Sequence, residues 1–208
     1  MRPRVTLKLA TSLDGKIAMA SGESQWITGE AARLQGHRLR ATHDAILVGV
    51  ETVIADNPRL TARIAGENPN QPLRVVLDSR LRTPSAAHLA HEALIITSSE
   101  GAFGGSSRVK RVDPDASGRP AIEAVLKALG EEGVASILVE GGGKVAASFI
   151  QGGFVDAIEW FRSSLILGQD GRSAIAALDF MKLSDAPRFR RLAVEPLGDD
   201  LWERYEKA

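Results

Sequence analysis

The chain has 208 residues, enough for one domain with a sizeable buried core, and we treat residues 1–208 as a single domain. Its 26 lysine and arginine residues balance its 26 aspartate and glutamate residues, so net charge favours neither nucleic acid nor an anionic membrane as a partner. The lack of cysteine excludes disulfides, thiolate catalysis and cysteine-ligated zinc, while the lack of an apolar span or leader favours a cytoplasmic location.

The first predicted element is a strand that begins at Val5 and alternates apolar side chains on one face with Lys8 and its neighbours on the other. An Asp14-Gly15 turn and a loop of small residues follow, and this loop ends near Trp26. A strand that carries a lysine and leads into a glycine-containing loop suits the floor of a small-molecule pocket. We expect Asp14 to shape the turn and to have no chemical role.

Thr28 is in position to cap the first predicted helix. The clearest inward-facing residue of that helix is Leu34, and Leu39 lies nearer the edge of the same face. Helices are predicted at residues 29–41, 50–55, 120–129 and 144–151, and strands at 44–49, 73–78, 93–98, 109–112, 136–139, 154–161, 189–195 and 200–205.

The order of these elements predicts the architecture. Strands alternate with helices over residues 1–150, which implies a mostly parallel sheet covered by helices on both faces. The last strands have no helices between them, so they are expected to join one edge of the sheet as antiparallel strands. We therefore predict a three-layer α/β fold with a mixed sheet.

The most specific local signal is a hydrophobic strand that runs into three glycines and then a helix, over residues 137–148. The free N–H groups and the helix dipole at such a turn favour a phosphate. The alternative is a tight turn that simply needs glycine, since neither G-x-G-x-x-G nor the P-loop spacing is present. Glu140 ends the strand where open α/β sheets place ligand contacts, although a solvated glutamate is equally consistent with the pattern.

A second group of polar residues follows the next predicted helix. Thr52, Asp56 and Arg63 surround a proline-containing segment that also includes Leu60. An acid and an arginine on such a segment suit a sugar phosphate, because a guanidinium binds phosphate through two hydrogen bonds. The alternative is a surface salt bridge.

Other chemistries lack support in the sequence. The four histidines show no metal-ligand spacing, so no metal site is predicted. There is no G-x-S-x-G motif of a serine nucleophile. Trp160 and Trp202 are interpreted as core residues, whereas Trp26 lies among polar loop residues and is a candidate for ligand contact.

Several motifs together resemble, in the same order, the reductase domain of the bacterial riboflavin-biosynthesis deaminase/reductase family. They are Val5–Lys16, Gly22–Thr28, Ile46–Thr52, Ala55–Pro58 and Val139–Gly142. The resemblance implies a dihydrofolate reductase-like fold and NADPH-dependent reduction of 5-amino-6-(5-phosphoribosylamino)uracil to the ribitylamino product. In that reaction the sugar opens to an imine and its former anomeric carbon receives the hydride.

The resemblance also implies roles for individual residues. Substrate contacts are implied for Ser24, Arg40, Leu60, Arg63 and Glu140. Cofactor contacts are implied for Ala10, Trp26, Thr52, Asp56, Gly142, Gly143, Lys144, Val145, Ala146, Ala147 and Ser148. Lys8 corresponds to a lysine that points toward the ribose, and our hypothesis is that Lys8 and Asp56 handle the proton and charge of the imine.

Several alternatives stay open at this point. The deaminase half of the family, with its cysteine zinc ligands, has no counterpart here. The substrate is either the uracil or the diaminopyrimidinone that precedes deamination, and a non-catalytic nucleotide-binding or dimerisation module is a further alternative. Relatives suggest a homodimer. Ser79, Arg80 and Ser98 are the candidate hydrogen-bond donors to the 2′-phosphate of NADPH.

Overall fold

The computed structural model describes residues 1–208, which form eleven strands and five α-helices. The strands are β1 (Arg4–Thr11), β2 (Lys16–Ala18), β3 (Ala45–Gly49), β4 (Leu73–Leu77), β5 (Leu94–Thr97), β6 (Arg108–Arg111), β7 (Ser136–Val139), β8 (Ala157–Arg162), β9 (Arg172–Ser173), β10 (Phe189–Leu197) and β11 (Asp200–Lys207). The helices are α1 (Glu30–Ala41), α2 (Val50–Asp56), α3 (Leu89–Glu92), α4 (Ile122–Glu131) and α5 (Gly143–Gln151), with a 3₁₀ turn at Leu183–Asp185.

Nine strands form one sheet in the order β10-β11-β8-β1-β7-β3-β4-β5-β6. The strands from β8 to β6 in that order run parallel, and the pairs β8–β11 and β11–β10 are antiparallel. The predicted mixed sheet with an antiparallel C-terminal addition is therefore confirmed. Because β1, β7 and β3 are adjacent and parallel, their carboxyl ends lie together at one edge.

Helices cover both faces of the sheet, as predicted. On one face, Leu126 of α4 and Phe149 of α5 belong to a cluster of 20 buried residues that includes Leu7 of β1 and Leu47 of β3. On the other face, Ile46 packs with Val53 of α2 and Leu89 of α3. Strand β3 lies inside the sheet between β7 and β4 and is buried at every position, which explains its continuous apolar sequence.

The start and the inner face of α1 differ from the prediction. The helix begins at Glu30, and its N-cap is Gly29, whose N–H donates to Asp200 Oδ2 at 2.6 Å, so the predicted Thr28 cap is wrong. Leu34 is 38% exposed, whereas the buried positions include Gly36 and Leu39. The small residues allow α1 to lie close to the sheet, and Leu34 projects from the opposite side.

Two short strands were missing from the prediction. β2 and β9 pair with each other as a separate antiparallel sheet beside the main one. Strands of three and two residues are too short for an alternating pattern to be visible in the sequence. Other boundaries shift slightly: α4 begins at Ile122 and β8 begins at Ala157. The longest helix has 12 residues, and none has the length and apolar character that a bilayer crossing demands.

Candidate functional site

A cavity of about 820 Å³ opens at the carboxyl ends of β1, β3 and β7, a volume typical of small-molecule sites. Its walls come from β1, the loop before α1, helix α2, the turn after β7 and the start of α5. It brings together most of the residues selected from the sequence, namely Lys8, Ala10, Ser24, Trp26, Thr52, Asp56, Glu140, Gly142, Gly143, Lys144, Val145 and Ala146.

The other selected residues lie outside this lining. Leu60 is 4% exposed and packs in the cluster beneath α2, and Ala147 is also buried. Ser148 donates its hydroxyl hydrogen to the carbonyl oxygen of Lys144 and lines a neighbouring cavity. Arg40 binds Glu140 from outside the lining, and Arg63 also lies outside it, so a contact of either arginine with a ligand stays a prediction.

Glu140 lies at the centre of a buried ion cluster at the cavity wall. Its carboxylate accepts two hydrogen bonds from Arg40, at 2.7 Å from Nε and 2.8 Å from Nη2. Lys8 Nζ lies 3.9 Å from the same carboxylate. The side chain of Glu140 is only 7% exposed, so the alternative of a solvated glutamate is wrong. Burial alone would raise the pKa of Glu140, but the charges of Arg40 and Lys8 outweigh it and lower the pKa to about 2.

Lys8 is the cation of this cluster that faces the cavity. Its Nζ lies 5.7 Å from the centroid of the Phe161 ring, and its side chain is 19% exposed. Burial lowers the pKa of Lys8, Glu140 opposes this shift and Arg40 adds to it. A lysine with a lowered pKa exchanges its proton more readily near neutral pH than an ordinary lysine, which suits acid–base work.

Asp56 reaches the cavity from the last turn of α2. The helix ends there because Asn57 adopts a left-handed conformation, with φ of 41°, and its N–H donates to the carbonyl oxygen of Val53. Thr52 precedes Asp56 by four residues, so both side chains share one face of the helix. Burial raises the pKa of Asp56, and the charge of Arg172 opposes this shift. The carboxyl group therefore takes up a proton at a higher pH than an exposed aspartate does.

The three glycines after β7 meet different requirements of the backbone. A Cβ on Gly141 would lie 2.5 Å from Val48 Cα, and a Cβ on Gly143 would lie 2.4 Å from the carbonyl oxygen of Ser173. Gly142 has φ of 63°, a conformation that favours glycine. Contacts and geometry within the protein thus account for all three glycines, whether or not a ligand binds beside them.

The N-terminus of α5 nevertheless faces the cavity without a side-chain cap. The N–H of Ala146 donates to Gly142, which makes this the first hydrogen bond of the helix. The N–H groups of Gly143, Lys144 and Val145 therefore have no acceptor within the helix. Together with the helix dipole, they can bind a phosphate group.

Residues 163–176, which we call the strap, close one side of the cavity. The Asp14 carboxylate holds the strap by accepting hydrogen bonds from the N–H groups of Leu167, at 3.1 Å, and Gly168, at 2.8 Å. Asp14 is therefore an anchor for a distant segment, a role that its sequence context did not indicate. The strap carries Arg172 into the cavity lining, and no periodic pattern or motif in the sequence indicated that residue.

We expect Asp14→Ala to loosen the strap. The hydrogen bond from the Ser12 hydroxyl, followed by that from the Leu167 N–H, lowers the pKa of Asp14 to about 2. The carboxylate therefore holds the strap fully above its ordinary pKa of 3.8, and this contribution disappears as the pH falls through about 2. At pH 7 the variant should show several-fold faster amide hydrogen exchange at Leu167 and Gly168.

Asp170→Ala is the matched control for this experiment, because Asp170 is an exposed aspartate of the same strap. It should leave the exchange rates at Leu167 and Gly168 unchanged. Equal exchange in the Asp14→Ala variant and the unmodified chain would show that other contacts hold the strap.

A second cavity of about 480 Å³ adjoins the first and shares Gly49, Glu51, Lys144 and Val145 with it. Its lining carries four basic residues, Arg80, Arg82, Arg119 and Lys144, against two acidic ones, Glu51 and Asp115, and it includes Ser79. Ser98, another candidate from the sequence, lies outside this lining and donates its hydroxyl hydrogen to the carbonyl oxygen of Gly118. The structure thus places two of the three proposed 2′-phosphate donors at this second cavity.

The aromatic residues divide as predicted. Trp202 stacks on Phe161 with ring centroids 5.9 Å apart, and the Trp160 indole N–H donates to Thr11 Oγ1 at 2.8 Å. Trp26 is 66% exposed at the cavity, with the Arg33 guanidinium 4.3 Å from its ring centroid. No group of three or more histidine, aspartate or glutamate side chains is arranged to hold a metal ion.

The sheet order and the cavity at its carboxyl edge define a dihydrofolate reductase-like fold. Dihydrofolate reductase from Enterococcus faecalis superimposes with a TM-score of 0.57 over 98% of this chain and 96% of that one, at 14% identity. The chain belongs to the RibD C-terminal domain family, whose model matches residues 3–202.

Relatives at higher identity fall into two groups. The riboflavin biosynthesis protein RibD of Bacillus amyloliquefaciens is 37% identical over 96% of this chain and 56% of its own length. The structure of Acinetobacter baumannii RibD, form 1, has a TM-score of 0.86 at 32% identity and covers 100% of this chain and 58% of that one. The chain thus spans little more than half the length of these relatives.

The second group of relatives has about the same length as this chain. The 2,5-diamino-6-ribosylamino-4(3H)-pyrimidinone 5′-phosphate reductase of Methanothermobacter thermautotrophicus is 36% identical over 99% of this chain and 98% of its own length. The chain is thus similar over its whole length to a protein named only as a reductase.

Proposed function

We propose that the chain reduces the ribosyl group of a phosphoribosylamino-pyrimidine to the ribityl group, with NADPH as the reductant, in riboflavin biosynthesis. The observation that carries this proposal is one cavity in which Lys8, Asp56 and the uncapped N-terminus of α5 face the same space. Membership of the RibD C-terminal domain family and similarity along the whole Methanothermobacter reductase support it.

The residues around the two cavities fit a nicotinamide dinucleotide. The N–H groups at the start of α5 that have no acceptor within the helix suit the pyrophosphate. Thr52 lies beside them, because a Cβ built on the N-cap residue Gly142 would be 3.6 Å from Thr52 Oγ1. The adjoining basic cavity suits the adenosine end, where Arg80 and Ser79 are the donors we assign to a 2′-phosphate. Bound NADPH supplies the hydride.

Lys8 and Asp56 are the catalytic residues in this proposal. Both line the cavity, and burial shifts their pKa values in opposite directions, down for the lysine and up for the aspartate. Each shift moves the group toward the pH range in which it can donate or accept a proton. They can therefore stabilise and protonate the opened sugar as it is reduced. In the loop before α1, Ser24 is assigned to the substrate and Trp26 to the cofactor, and both line the cavity.

The substrate's phosphate is assigned to Arg63. Arg63 Nη1 donates to Thr61 Oγ1 at 2.8 Å, and Arg40 Nη1 donates to the carbonyl oxygen of Thr61 at 3.2 Å. Arg40 in turn holds Glu140 at the cavity wall. This continuous set of contacts links the guanidinium of Arg63 to the cavity, and guanidinium groups bind phosphate through paired hydrogen bonds.

Turnover of the uracil and of the diaminopyrimidinone tests the proposal and shows which of the two compounds is the substrate. We expect the purified chain to oxidise NADPH when given either the uracil or the diaminopyrimidinone, with a clear preference for one. The diaminopyrimidinone has specific support, because the Methanothermobacter relative is named for it. Absence of NADPH oxidation with both compounds, in a chain shown to be folded by circular dichroism, would favour a non-catalytic nucleotide-binding or dimerisation module.

Two further expectations stay predictions. A homodimer fits β10, an edge strand of the main sheet on which Leu192 and Val194 are exposed, and sedimentation at micromolar concentration tests it. A monomer in that experiment would contradict it. The cytoplasmic location is tested by fractionation of the cells that produce the protein.

A further inference from the structure

His37 contacts the proposed phosphate-binding arginine although it does not line the cavity. It lies on α1, and its Nδ1 is 3.0 Å from the carbonyl oxygen of Thr61 and 3.2 Å from the backbone nitrogen of Arg63. Its Nε2 lies 3.3 Å from Nη2 of Arg63. One imidazole ring thus meets the loop that carries Arg63 and the guanidinium of Arg63 itself.

Two of the three contacts of the ring favour the same tautomer. A guanidinium has only N–H donors, so Nε2 of His37 must accept from Arg63, and a carbonyl oxygen only accepts, so Nδ1 must donate to Thr61. The neutral ring protonated on Nδ1 satisfies these two contacts and leaves the backbone N–H of Arg63, 3.2 Å from Nδ1, without an acceptor on the ring. The tautomer protonated on Nε2 would direct its N–H at the N–H groups of the arginine.

We propose that His37 is a positioning residue that holds the Arg63 guanidinium in place for the substrate's phosphate. The inference rests on the proposed function, because it requires Arg63 to bind that phosphate. With His37 on one side and the Thr61 hydroxyl on the other, Arg63 has an acceptor for each terminal nitrogen, Nη1 and Nη2. A guanidinium held in this way loses less rotamer freedom when the phosphate binds.

The charges around His37 favour its neutral form. The charged groups that face it are Arg40, Arg63 and Glu140. Burial, then Arg40 and Arg63, lower the pKa of His37 from 6.5, while Glu140 and the Thr61 carbonyl oxygen oppose the shift. When the pH falls below this lowered pKa, Nε2 gains a proton, Arg63 loses its acceptor and the two cations repel each other. The affinity for a phosphorylated substrate should therefore fall at acid pH.

The test compares His37→Leu with His37→Gln in turnover of the phosphorylated pyrimidine and its dephosphorylated counterpart. His37→Leu should raise KM for the phosphorylated compound about tenfold, because a hydrogen bond to a charged group is lost, and should leave kcat within about twofold. KM for the dephosphorylated compound should not change. His37→Gln retains an acceptor amide that does not titrate, so it should restore KM and remove the extra rise in KM at acid pH.

Arg63→Ala separates failure of this inference from failure of the proposed phosphate site. In the Arg63→Ala background, His37→Leu should have no further effect on KM. If Arg63→Ala raises KM for the phosphorylated compound and His37→Leu does not, the positioning role of His37 is wrong while the phosphate site stands. If Arg63→Ala itself leaves that KM unchanged, the phosphate site is wrong, and the role proposed for His37 is wrong with it.

Discussion

Replacing Glu140 by glutamine should lower the free energy of unfolding by roughly 3–5 kcal/mol at pH 7, the usual cost of removing one partner from a buried ion pair. The substitution leaves Arg40 and Lys8, which are 17% and 19% exposed, without their shared counter-ion. Urea unfolding followed by circular dichroism measures the loss. Because the folded-state pKa of Glu140 is about 2 against an ordinary 4.5, its stabilisation is present above pH 4.5 and is lost as the pH falls toward 2.

Glu132→Gln is the matched control. Glu132 accepts a hydrogen bond from Arg108 at 2.9 Å, but this pair lies at the surface, with the side chain of Arg108 63% exposed. Its removal should cost less than about 1 kcal/mol. Equal losses for the two variants would show that the cluster at the cavity wall contributes no more than a surface pair.

Replacing Asp56 by asparagine should lower kcat by roughly 10²–10⁴-fold, the usual contribution of a positioned acid or base. Asparagine keeps the size of the side chain and one acceptor oxygen, replaces the other oxygen by an N–H donor, and does not titrate. Burial raises the pKa of Asp56, so the substitution removes a carboxyl group that takes up a proton at a higher pH than an exposed aspartate does. Single-turnover measurements at saturating NADPH isolate the chemical step.

Two control measurements show whether a loss of kcat in Asp56→Asn comes from the missing carboxyl group. NADPH binding, followed by quenching of tryptophan fluorescence, should stay within about threefold of the unmodified chain, since the pyrophosphate is assigned to the start of α5. Asp199→Asn, at the exposed turn between β10 and β11, should leave kcat unchanged. Near-normal turnover by Asp56→Asn with the cofactor bound would remove the carboxylate from the mechanism.

The sequence alone predicted those features whose cause is local. Alternation along β1, continuous apolar residues in β3 and the positive φ of Gly142 after β7 are each features of a few neighbouring residues. The order of strands and helices then predicted a mixed sheet, because parallel strands need helical connections and the last strands have none. Motifs resembling a known family supplied the expected ligands, and most of the residues chosen in this way line one cavity.

The tertiary structure alone decided the contacts between distant segments. Asp14 was interpreted as a turn residue, yet its carboxylate holds Gly168, 154 positions away, and through the strap it brings Arg172 to the cavity. Gly29 is the N-cap residue of α1 in place of Thr28, and its N–H donates to Asp200, 171 positions away.

Glu140 shows the same limit of the sequence most clearly. Nothing beside it in the sequence distinguishes a solvated carboxylate from a buried one, because its environment consists of Arg40 and Lys8, 100 and 132 positions away along the chain. Periodicity and turn chemistry are properties of neighbouring residues and can be read from the sequence. Burial and charge pairing depend on which distant side chains meet, and only folding brings those side chains together.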